Sequence, residues 1–124
     1  MMEQKQNVLE LFAAVKQYFS PRIIGEVNDV YVKIAKVKGR DVPWHTHDNE
    51  DELFYIVKGA LTMEIKGSGS IDLDSGELFI VKRGAEHRVH SEEECWLVLI
   101  ENKSTKHTGD VHSHITKSID EQRY

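Results

Sequence analysis

Seven histidines occur in the chain, at positions 45, 47, 87, 90, 107, 112 and 114. His45 and His47 flank Thr46, just ahead of an apolar run that starts at Leu53. Placed on extended backbone, a spacing of two turns both imidazoles to one face, about 7 Å apart along the chain. That separation lets two ring nitrogens converge on one cation at about 2.0–2.2 Å. The stretch Asp48-Asn49-Glu50-Asp51-Glu52 follows. Most of it reads as a solvated loop, but Glu52 has the parity of Phe54 and Ile56 and so shares their interior face. An ionised carboxylate there costs several kcal/mol of desolvation, of order ~3 or more, unless it is paired or coordinates a metal. Imidazoles and a carboxylate gathered at one buried place resolve that cost together.

The elements that would position these groups are strands. From Ile23 the apolar period becomes two: Val30, Val32 and Ile34 alternate with Tyr31, Lys33 and Ala35, and Leu61, Met63 and Ile65 alternate with Thr62, Glu64 and Lys66. Leu53–Val57, Leu78–Val81 and Trp96–Ile100 are short continuous apolar runs, the pattern of strands covered on both faces. Turn signals separate them at Lys38-Gly39, Lys58-Gly59, Gly67-Ser68-Gly69, Asp74-Ser75-Gly76 and Arg83-Gly84. Short strands punctuated in this way predict an all-β sandwich or barrel. One helix is predicted, Asn7 to Phe19. Its residues Val8, Leu11, Phe12, Val15 and Phe19 form an apolar stripe, Asn7 is a candidate N-cap, and Ser20-Pro21 stops it. The expected division is a helical segment 1–22, a barrel 23–102 and a polar, His-containing tail 103–124.

With 124 residues, the chain has the length of one domain. Sixteen Lys and Arg against twenty-one Asp and Glu give a net charge of −5 with no basic stripe, which argues against nucleic acid or an anionic membrane as partner. The single cysteine, Cys95, excludes an intramolecular disulfide and a multi-thiolate zinc site. No apolar run reaches transmembrane length and the polar start is unlike a signal peptide, so a cytoplasmic address is expected.

Gly39, five residues, His45-Thr46-His47, four residues, Glu52, six residues and Gly59 together match the first signature motif of the cupin superfamily. A second motif follows: Gly76, five residues, Lys82-Arg83-Gly84, two residues, His87, three residues and Ser91. It departs from the family pattern at Lys82, where proline is usual, and at Ser91, where asparagine is usual. Neither is a ligand position. The resemblance implies an antiparallel jelly-roll β-barrel holding one divalent metal ion through His45, His47, Glu52 and His87. Such a ligand set suits Fe(II), Mn(II), Co(II), Ni(II), Cu(II) or Zn(II) and does not choose among them. It further implies a metal-dependent enzyme acting on a small organic molecule (dioxygenase, isomerase or lyase type) or, alternatively, a non-catalytic small-molecule or metal-binding module.

Side chains sharing the ligand parity, Phe54, Ile56, Leu61, Met63, Ile65 and Val89, are the expected substrate pocket, and their apolar character points to a compact ligand with one or two metal-binding oxygens. His90 has the opposite parity to His87 and is expected to face outward. His112 and His114 repeat the His-x-His spacing without a partner carboxylate and read as solvated, whereas His107 has the option of folding over the barrel mouth. Glu50 and Tyr55 are candidate acid–base groups near a bound substrate. Cys95 is expected to be an inert, partly buried thiol. The apolar runs Leu53–Val57 and Trp96–Ile100 offer more buried faces than one helix and one barrel interior can cover, so a two-fold homodimer is expected.

Overall fold

The computed structural model describes residues 4–123, so residues 1–3 of the expected helical segment and residue 124 of the expected tail lie outside the described part. Seven strands carry the fold: β1 Arg22–Val27, β2 Val30–Gly39, β3 Glu52–Lys58, β4 Ala60–Ile65, β5 Gly69–Asp74, β6 Leu78–Val81 and β7 His87–Asn102. Two short helices flank them, α1 Val8–Ala13 and α2 Ile119–Gln122. The strands are antiparallel throughout, in the order β1-β2-β7-β3-β6, while β4 pairs with β5 and with the start of β7. The result is an antiparallel β-barrel of jelly-roll type with an N-terminal helix.

The sixteen-residue strand β7 joins the two sheets. Its first residues pair with β4 (His87↔Ile65, Val89↔Met63), and its later ones pair with β2 on one side and β3 on the other. Between them the strand passes Gly39 at a register shift, where the buried Ser91 hydroxyl donates to the Val37 carbonyl at 2.9 Å. Ser91 thus ties β7 to β2 where the ladder is interrupted, and its departure from the family pattern leaves the His/Glu positions intact.

Alternation decides what enters the barrel. On β2 the inward residues are Tyr31, Lys33, Ala35 and Val37; on β7 they are Cys95, Leu97, Leu99 and Glu101; on β3 they are Glu52, Phe54 and Ile56. Of these, Ala35, Val37, Phe54, Ile56, Cys95, Leu97 and Leu99 join Leu61, Met63, Leu73, Val81 and Val89 in the main core. Cys95 is fully buried, and burial pushes its thiol up to about 12, which makes it unreactive.

Helix α1 is shorter than the expected Asn7–Phe19. Asn7 caps it as anticipated, its side chain accepting from the Glu10 N–H at 3.0 Å, but Ala14 already forms the C-cap. The chain beyond is captured by β2: Tyr18 bridges Lys36, the Phe19 N–H donates to the Lys36 carbonyl at 2.9 Å, and Phe19 takes a left-handed φ of 55°. Sheet pairing here outcompetes continuation of the helix, and Phe19 leaves the helical stripe to enter the barrel core. The remaining stripe covers the outer face of β2 and β7. Phe12 and Val15 pack with Ile34, Trp96 and Val98, and the Phe12 and Trp96 rings stack with centroids 5.0 Å apart.

Residues 103–122 contain no strand, yet several of them are buried: Thr105, Thr108, Ile115 and Gln122. Local hydrogen bonds hold the segment. Thr108 bonds the Val111 carbonyl and Thr116, Ser113 accepts from Ile115, and Ser118 and Glu121 form a capping box on α2. Gly109 packs directly on the backbone of Thr46, where any Cβ would run into the Thr46 carbonyl oxygen. No described helix is long and apolar enough to cross a membrane.

Because Phe12 is fully buried and Leu9 on the same helix is 58% exposed, their alanine variants separate the two faces. Phe12→Ala should cost about 3 kcal/mol in denaturant unfolding, and Leu9→Ala less than about 0.5 kcal/mol.

Candidate metal centre

His45 and His47 lie on an extended segment before β3 rather than within a regular strand. His45 is nevertheless fixed opposite His87 by a reciprocal pair of backbone hydrogen bonds, His45 N–H to His87 O at 3.0 Å and His87 N–H to His45 O at 2.9 Å. Glu52 opens β3, and β7 brings His87. These four side chains are all buried, and one donor atom from each lies within 4.8 Å of all the others. The group is able to hold a metal ion.

The backbone sets the protonation of two of the rings. His45 Nδ1 sits 2.8 Å from the Pro43 carbonyl, and His87 Nδ1 sits 2.9 Å from the Ala85 carbonyl. Each Nδ1 must carry the proton to donate, which leaves Nε2 as a lone pair. The Nε2 atoms of His47 and His87 and the Oε1 of Glu52 are buried with no hydrogen-bond partner among the described residues. Orphaned buried polar atoms are rare in folded proteins, and here they are gathered at one place. Glu52 Oε1 stands 3.6 Å from His47 Nε2 and 3.5 Å from His87 Nε2, too far for hydrogen bonds. It is a natural spacing for atoms sharing an ion, since ligands about 2.1 Å from a common centre at a tetrahedral angle stand about 3.4 Å apart. The residues fit a divalent metal.

Beneath the cluster lies a second polar layer that parity identifies in the same way as Glu52. Glu101 is the cross-strand neighbour of Glu52, and its Oε1 is 2.6 Å from Lys33 Nζ, with both side chains almost fully buried. Burial works to raise the Glu52 carboxyl, but the neighbouring Glu101 carboxyl and the facing imidazoles outweigh it and hold Glu52 well below the usual carboxylate range. Burial and the adjacent Glu52 charge push Glu101 well above that range, against the pull of Lys33. A proton shared by the two carboxyls therefore belongs to Glu101, and Glu52 remains the anion facing the imidazoles. Lys33 and Glu101 were legible by the same alternation, Lys33 lying between Tyr31 and Ala35 and Glu101 following Leu99 by two.

A cavity of about 60 Å³ adjoins the cluster. His45, Glu52, His87 and Glu101 line it, together with Phe54, Val89, Val37, Val42, Leu97 and Leu99. Of the expected pocket residues, Phe54 and Val89 stand in its wall, whereas Ile56, Leu61 and Met63 are packed in the core outside that lining, and Ile65 is a partly buried neighbour of the core. His107 also lines the cavity, from the C-terminal segment. His90 stands on the opposite face of β7 from His87, 3.8 Å from Glu64. His112 and His114 are exposed and outside the cluster. Tyr55 is on the outer face, and Glu50 accepts from Ser104 at 2.9 Å, away from the four clustered residues.

Burial, more than any neighbouring charge, pushes both His45 and His107 down to about 4. An unfolded chain binds protons at its histidines near pH 6.5, so the folded state loses stability as pH falls from about 6.5 to about 4. Each such histidine accounts for on the order of 3 kcal/mol across that window. In metal-free protein, His107→Gln should flatten the loss measured by urea unfolding over this range relative to wild type.

A family model described as "Cupin domain" matches residues 34–101. YdbB of Bacillus subtilis is 30% identical over 105 residues, 85% of this chain and 92% of its own. Among solved structures, a cupin-2 domain containing protein from Shewanella frigidimarina is 35% identical with a TM-score of 0.75, over 78% of this chain and 93% of that one. Protein NMB1881 from Neisseria meningitidis is 32% identical with a TM-score of 0.73, over 80% and 99%. With its barrel, its two motifs and these relatives, the chain belongs to the cupin superfamily.

Proposed function

We propose that this protein is a metal-dependent cupin in which His45, His47, Glu52 and His87 hold one divalent ion that binds and activates a small organic molecule. The observation that carries the reading is the set of buried, partnerless atoms on His47, Glu52 and His87, two of them on imidazoles and one on a carboxylate kept ionised. Such a cluster left without an ion would bury lone pairs on two imidazoles and a carboxylate with nothing to receive them. A bound metal supplies Lewis acidity at a substrate oxygen or water. The chain's own contribution is positional. Pro43 and Ala85 fix two imidazole tautomers, Glu101 and Lys33 fix Glu52 from behind, and the apolar wall excludes bulk water from the adjoining space.

The cavity's modest volume, about 60 Å³, with room for on the order of four or five waters, selects a compact ligand with one or two oxygens for the metal. It equally suits a binding module without turnover, which is the second reading. Metal-dependent conversion of a bound molecule, abolished by a chelator, distinguishes the two. The single, buried cysteine accords with a cytoplasmic address.

A homodimer completes the proposal. Helix α1 covers the part of the outer sheet around Ile24, Ile34, Val57, Trp96 and Val98. Tyr55, Leu78, Ile80 and Ile100 remain exposed on neighbouring positions of β3, β6 and β7. A contiguous apolar face of this kind favours burial against a second copy. Light scattering at tens of micromolar should report about twice the monomer mass, and a monomer would remove this part of the proposal.

For the metal, His47→Ala and Glu52→Ala should each retain less than about a tenth of the wild-type content after reloading with each candidate ion. His90→Ala and His112→Ala should match wild type. Because binding requires neutral imidazole, wild-type affinity should fall as pH drops through the histidine range. Elemental analysis decides, and a wild-type protein that takes up no divalent ion would end the metal reading.

A further inference from the structure

Residues 34–101, which match the cupin model, supply the His/Glu cluster, but they do not complete the cavity beside it. Phe19 and Pro21 come from before them, and His107, Thr108 and Gln122 from after. The C-terminal segment brings polar groups to an otherwise mainly apolar wall, and one residue orients two of them. The backbone N–H of Lys117 donates to His107 Nδ1 at 2.9 Å, so the proton of the neutral ring lies on Nε2, which becomes a donor. The Lys117 carbonyl accepts from Gln122 Nε2 at 3.1 Å, which fixes the amide and leaves Oε1 as an acceptor. Gln122 is 1% exposed, and its Oε1 has no hydrogen-bond partner among the described residues. A buried acceptor left in this state costs stability unless something donates to it.

We propose that His107 and Gln122 form a specificity subsite for a hydroxyl group of the small molecule bound at the cluster, the hydroxyl donating to Gln122 Oε1 and accepting from His107 Nε2–H. A hydroxyl is the smallest group able to do both at once, as a cavity of about 60 Å³ requires. Burial keeps His107 neutral near pH 7, so the subsite provides no counter-charge for a carboxylate or phosphate. The ligand class is therefore a compact molecule with an apolar middle, a metal-binding oxygen function and a separate hydroxyl. The C-terminal segment thereby chooses the ligand, while the barrel supplies the chemistry.

This inference rests on the metal-anchored ligand site proposed above, and the test separates the two. Full-length protein loaded with zinc is titrated by calorimetry with ω-hydroxy acids of increasing chain length (hydroxybutanoate, hydroxypentanoate, hydroxyhexanoate) and with the matching plain carboxylic acids. At one chain length the hydroxy acid should bind about tenfold tighter than its plain partner, the gain expected from satisfying a buried acceptor. Gln122→Met should reduce that preference to within about twofold, with zinc content unchanged. Equal binding of both series to wild type, or a preference that survives in Gln122→Met, overturns the subsite while leaving the metal-anchored site standing. Failure of every acid to bind protein carrying one zinc per chain overturns the ligand site itself. The wild-type comparison decides without any variant, so a Gln122→Met protein that does not fold leaves the test intact.

Discussion

An ionised carboxylate inside an apolar barrel must be compensated, and the interior of this protein is organised around that need at Glu52. Strand alternation forces the side chain inward, because Phe54 and Ile56 on the same strand belong to the core. Once there, it meets three imidazoles on one side and the Glu101–Lys33 pair on the other. Each neighbour is brought by a different element. His45 and His47 come from the segment before β3, His87 from the start of β7, Glu101 from its end and Lys33 from β2. Removing any one partner leaves a charge or a polar atom buried alone, so the barrel and the cluster are mutually dependent.

The same dependence explains the length of β7. Its first residue is His87 and its inward residues end at Glu101, so a single strand spans both layers of the site and couples the two sheets. The C-terminal segment then closes over this arrangement. Gly109 lies against Thr46, the residue between His45 and His47, in a contact that only glycine allows. The segment that bounds the cavity thus also braces the histidine pair, which links closure of the site to the geometry of its donors.

Much of this was legible in the sequence, and the reasons differ from part to part. The strands follow from period-two alternation, but on β2 the barrel takes Tyr31, Lys33 and Ala35 while the apolar phase carries Ile34 to the outer face beneath α1. The His/Glu cluster follows from spacing combined with the motif resemblance. Glu101 and Lys33 obeyed the same parity but were hidden by lying at the end of an apolar run and inside an alternating one, where a charge reads as outward. Helix α1 was overextended because Phe19 continued its stripe, and only the long-range pairing of Tyr18 and Phe19 with Lys36 shows that the helix had already ended. Residues 103–122 carry no period at all. Their order comes from threonine and serine side chains bonding nearby groups, and from Ile115 joining the barrel core, which local patterning does not encode.

A crystal of the full chain soaked with zinc and measured at the zinc absorption edge tests most directly whether the cluster is a metal centre. One anomalous peak per chain is expected, about 2.0–2.2 Å from Nε2 of His45, His47 and His87 and from a carboxylate oxygen of Glu52. Zinc found only at the exposed His112 and His114, with none inside the barrel, would contradict it.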